Sequence, residues 1–108
     1  MGVRIRIKIE TGGCTEEVVA LANSAFESEE PEIVLPYSLA TRLGFSLKEC
    51  RKAVYRTAGG GAILYRAPIK PRVRIVVPDR ETRSVECSAS ISRTEDEVIL
   101  SDKLTARE

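Results

Sequence analysis

Residues 3–23 read VRIRIKIETGGCTEEVVALAN, and the way this stretch alternates decides the fold. Val3, Ile5, Ile7 and Ile9 fall on one side of an extended chain, and Arg4, Arg6, Lys8 and Glu10 fall on the other. A period of two is that of a strand with one face buried. Gly12 and Gly13 supply a turn, because glycine tolerates positive φ. The following TEEVVALA could also begin a helix, but the glycine turn delivers it beside the first strand. A β-hairpin is therefore predicted.

Working outward, residues 27–32 (ESEEPE) form an acidic, proline-containing break. Beyond it IVLPYSLATRLGF changes period. Pro36 suits a first helical turn, Leu39, Ala40 and Leu43 lie along one stripe, and Gly44 is a natural stop. One short helix near Pro36 to Leu43 is predicted. KAVYRTAGGGAILYRAP has the form of a hairpin around Gly59, Gly60 and Gly61. VRIVV and RSVECSASI read as another, joined by a turn with Pro78 and Asp79. In the second arm Val85, Cys87, Ala89 and Ile91 alternate with Ser84, Glu86, Ser88 and Ser90. EVILS is a short buried strand, and DKLTARE a helical turn begun by Ser101 or Asp102. Many short strands with one helix predict a single all-β domain over residues 1–108, a small closed barrel or a sandwich.

Composition narrows the function classes. The 108 residues carry 17 basic and 16 acidic side chains, so no global charge draws the chain to nucleic acid or an anionic membrane. Charged residues are 31% of the chain and amide side chains are nearly absent, a balance that fits a hot environment. No run approaches the roughly 18 apolar residues of a membrane span, and a cytoplasmic location without membrane association is the expectation. Cys14, Cys50 and Cys87 are widely spaced and there is no histidine, so neither a metal nor a cofactor is expected. Gly59 to Gly61 lacks the Gly-Lys pattern of a phosphate loop. Arg4, Arg6, Lys8, Arg66, Lys70, Arg72 and Arg74 could form a basic sheet face. Aromatic residues make up only 5% of the chain, too few for base stacking, and an outward solubilising face is the favoured reading.

The order of these pieces carries a resemblance. A hairpin leads into the small polar triplet Asn23-Ser24-Ala25, and the proline-led helix LPYSLATRLGF follows. Next come the glycine-tipped YRTAGGGAILYRAP, a further hairpin and VILSDKL. This order resembles the retropepsin-like aspartic proteases over almost the whole chain. The resemblance implies an acid-protease-like closed β-barrel with one short helix. It also implies a homodimer with one cleft between two subunits, and a flap whose tip is Thr57, Ala58, Gly59, Gly60 and Gly61. Family members carry Asp-Thr/Ser-Gly where this chain has Asn23, Ser24 and Ala25, and Ser101 stands where glycine is usual.

The departures matter chemically. In the family two aspartates share a proton, the charged one activating water and the neutral one polarising the scissile carbonyl. An amide neither takes nor gives a proton at useful pH, so a pair of Asn23 residues has no base. Ala25 adds a methyl group where glycine leaves room for the partner loop. The resemblance therefore implies a catalytically inactive domain that binds a peptide or protein in the former cleft. Its ligand contacts would be Thr57 to Gly61 and an acidic rim of Glu27, Glu29 and Glu30 that selects basic ligands. An active aspartic endopeptidase and a basic-faced nucleic-acid module are the alternatives.

Overall fold

The computed structural model describes residues 2–23, 30–57, 60–79, 82–102 and 104. The predicted first hairpin is present as β1 (Gly2–Thr11) and β2 (Cys14–Asn23), in register from Gly2 opposite Asn23 to Thr11 opposite Cys14. Gly13 holds the turn at φ +129°, a region that disfavours any side chain. The alternation does what it predicts in the middle of β1, where Ile7 and Ile9 are fully buried and Arg6 is exposed.

β3 (Glu32–Pro36) is buried at every position and runs directly into α1 (Tyr37–Arg42). The sequence predicts no strand here, only the change of period that leads into the helix. A strand covered on both faces has no alternation to reveal it. Pro36 flanks the helix in an extended conformation and Leu43 closes it. Gly44 follows at φ +91°, as its C-terminal position demands. A single 3-10 turn (Leu47–Glu49) leads into β4 (Arg51–Thr57), which pairs with β5 (Gly60–Arg66) as the second predicted hairpin.

The third predicted hairpin is only partly formed. β6 (Arg72–Ile75) pairs with β7 (Val85–Glu86) through two residue pairs. After Cys87 the chain leaves that partner, and β8 (Ser88–Ser92) lies instead between β3, in parallel, and β5. Cys87 donates its amide to the Pro71 carbonyl at the crossing. β9 (Val98–Leu100) inserts between β2, in parallel, and β3.

The nine strands among the described residues form one sheet in the order β4-β5-β8-β3-β9-β2-β1-β6-β7. The sheet curls into an open half-barrel, which corrects the expectation of a closed one. Closure requires the terminal strands to pair. Here β7 is two residues long and β4 seven, so one edge cannot complete the other. The space inside is filled instead by α1, whose Leu39 and Ala40 join Leu43, Ile7, Ile9, Ile33, Leu35, Ile91 and Leu100 in one core. The helix end is tied to the first hairpin: Arg42 pairs with Glu16 at 3.2 Å, and the Thr11 hydroxyl donates to the Leu43 carbonyl at 2.7 Å. No helix among the described residues is long and apolar enough to cross a membrane.

Candidate functional site

The segment of interest begins where β2 ends. Asn23 is the last residue of β2, and its backbone stands opposite Gly2. β9 runs alongside in the same direction, with Leu100 opposite Ala22. Ser101 therefore follows β9 at the same end of the sheet at which Asn23 follows Ala22. Ser101 is fully buried and acts three ways. Its amide donates to the Glu32 carbonyl at 3.0 Å. Its hydroxyl oxygen accepts from the Glu32 amide at 2.9 Å and from the Leu104 amide at 3.2 Å. Ser101 is thus an anchor, pinning the first residue of β3 and capping the turn that follows.

Ser24, Ala25, Glu27, Glu29, Ala58 and Gly59 lie outside the described residues. Of the acidic rim, Glu30 is described and exposed, and Glu32 beside it is buried. Glu30 does not stand as a free anion. Ser88 donates its hydroxyl to Glu30 Oε1 at 2.5 Å, and Arg66 Nη2 lies 3.8 Å from the same oxygen. The Ser88 hydrogen bond, then the Lys70 charge, hold the Glu30 carboxyl below the usual range; slight desolvation opposes them and Arg66 adds to them. Arg66 Nη2 also sits 3.2 Å from Glu32 Oε1, an ion pair without hydrogen-bond alignment. Arg66 belongs to β5, so this pair ties the base of the glycine-tipped hairpin to the segment that emerges after Asn23.

The hairpin itself projects. β5 pairs with β8 only at Tyr65 and Arg66, opposite Ile91 and Ser90. Beyond these, the strand pairing of the two arms among the described residues is with each other, out to Thr57 opposite Gly60, with Arg56 opposite Gly61. Val54 stands directly opposite Ile63, and both are exposed, Val54 at 72%. Alternation places this pair on the same hairpin face as Tyr65, which packs on the core. An apolar surface thus runs outward from the core along one face of the arm. Sequence reasoning identified the hairpin but not this pair, although the alternation of Val54 with Ala53 and of Ile63 with Leu64 carried no polar contrast that could show it.

The basic residues of the outer sheet face are largely neutralised. Arg4 pairs with Glu97 at 2.5 Å, Arg6 with Glu17 at 3.4 Å, and Arg74 with Glu10 at 3.9 Å. Cys14, Cys50 and Cys87 are free thiols. Ser88, Ser90 and Ser92 are buried, although Ser88 and Ser90 alternate with the apolar residues of the same strand. The Ser90 hydroxyl has no hydrogen-bond partner among the described residues.

No protein-family model matches the chain, and no curated protein does.

Proposed function

We propose that the chain is a retropepsin-like domain without catalytic power, which holds an extended peptide or protein segment beneath the glycine-tipped hairpin. One observation carries this reading. The exposed Val54–Ile63 pair continues the core-facing side of an arm that, among the described residues, pairs with the rest of the sheet at its base. Fully burying a side chain of this kind contributes roughly 1.5–3 kcal/mol, so a ligand under the arm has a source of affinity. Further support comes from the order of the elements. The first hairpin ends at Asn23, a proline-led helix follows, then the projecting hairpin, and β9 ends at Ser101 beside the end of β2. The absence of activity rests on chemistry, since Asn23 supplies no base.

A homodimer belongs to the same reading. The inner face of β1 is buried in the core at Ile7 and Ile9 but open at Val3, which is 64% exposed and neighbours the Gly2–Asn23 pair. A second subunit there would cover Val3 and complete the cleft.

The test is digestion of a mixed peptide library at acid pH, with and without a pepstatin-type inhibitor, alongside capture of peptides on immobilised protein. No cleavage is expected. Retained peptides should be lost when Val54→Ser and Ile63→Ser are combined. Cleavage by the unaltered protein, abolished by Asn23→Ala, would make it an active endopeptidase. Tight oligonucleotide binding with a steep salt dependence would place it among nucleic-acid modules instead.

A further inference from the structure

The two edges of the sheet are unlike. β7 ends one side with two residues, too few to template another strand. β4 ends the other with seven, Arg51 to Thr57, and its outer side has no partner strand among the described residues. A strand of this length presents a row of unpaired backbone donors and acceptors. Arg51, Lys52 and Val54 are exposed along it. Unlike Arg4, Arg6, Arg42, Arg66 and Arg74, neither Arg51 nor Lys52 has a carboxylate within ion-pair distance among the described residues.

A second copy paired about Val54 does not suit this edge. Antiparallel self-pairing centred on Val54 would set Lys52 opposite Arg56, and like charges directly opposite one another are destabilising. At the base of the same edge lies an open cavity of about 310 Å³, lined by Glu49, Arg51, Arg66, Ala67 and Pro68. Arg66 is already engaged with Glu32, which leaves Arg51 as the cation able to receive an incoming carboxylate there. Glu49 on the cavity wall opposes a polyanion and leaves room for a single carboxylate charge.

We infer that the outer edge of β4 takes an acidic, extended segment of another protein as an added strand. Arg51 and Lys52 are consecutive and so project to opposite faces. Two adjacent acidic residues in the added strand meet both, the one over Arg51 reaching the cavity. An apolar residue on the Lys52 side covers Val54. Backbone pairing supplies affinity and the two charges supply selection. Val54 is shared with the face beneath the hairpin, but the backbone edge and the two charges are not, and the edge site stands whether or not that cleft binds anything.

The experiment uses a fluorescein-labelled peptide of alternating valine and threonine with two adjacent glutamates. Controls carry lysines in place of the glutamates, or N-methyl groups along one backbone edge. The glutamate peptide should bind the unaltered protein at low salt and slow hydrogen exchange at alternate amides within residues 51–54. Arg51→Glu combined with Lys52→Glu should weaken it roughly tenfold and reverse the preference toward the lysine peptide. Both positions are exposed, and an unchanged thermal transition checks that the variant folds. Failure of the unaltered protein to bind the glutamate peptide would overturn the assignment. So would equal binding of glutamate and lysine peptides, undiminished binding of the N-methylated peptide, or displacement of the glutamate peptide by oligothymidylate.

Discussion

Ser101 shows how one hydroxyl can hold two segments that are distant in sequence. Its oxygen accepts from the amides of Glu32 and Leu104, and both bonds are buried. Ser101→Ala leaves these donors without a partner and should cost about 1–3 kcal/mol in urea denaturation. Gly44→Ala tests a different cause. A Cβ there meets only Cys14 Sγ at 3.9 Å, so the expected loss of about 1–2 kcal/mol comes from the backbone at φ +91° and not from a clash. Glu30 adds a pH dependence. Its folded-state pKa is lowered, first by Ser88 and then by Lys70, so its contribution is present above the unfolded-state value. It is lost as pH falls through the lower folded-state value. Ser88→Ala should therefore flatten the acid limb of stability against pH, as read by thermal melts across that range. Glu30 is exposed, so the change in slope will be small.

At the scale of elements, the projecting hairpin and the central strands lie at opposite extremes. β3 and β8 are buried along their whole lengths, whereas β4 and β5 keep Val54 and Ile63 in solvent. Val54→Ser with Ile63→Ser should change stability by no more than about 0.5 kcal/mol per site, because little burial is lost. The same pair should abolish peptide retention if the hairpin face is the binding surface. Alternation made β1 legible, since a half-exposed strand writes its two faces into alternate residues, and the glycine turns made β2, β4 and β5 legible as hairpin arms. β3 was not legible in that way. Glu32-Ile33-Val34-Leu35-Pro36 is covered on both sides, and its single charge is held by Arg66 from another strand. The helix was read correctly, with its ends moved inward by one residue to Tyr37 and Arg42.

For the whole molecule, β9 is three residues long yet sits in the middle of the sheet, joining β2 to β3. Its partners Ala20 and Ile33 precede it by most of the chain. Ending the chain before Val98 should remove the cooperative unfolding transition altogether, checked by circular dichroism during urea titration. Restoring the chain through Leu104 should recover it, since Leu104 is fully buried in the core.

Local pattern in the sequence determined the β class, the two tight hairpins and the single proline-led helix. Each depends on neighbours a few residues apart. Tertiary structure alone decided that the sheet stays open, that β8 leaves β6 for β3, and that a row of serines is buried. It also decided that Arg66 lies within ion-pair distance of both Glu30 and Glu32. Strand order and ion pairing depend on which distant segments meet, and backbone hydrogen bonding is the same for every residue type. Alternation can therefore say that a segment is a strand, but only packing selects its partner.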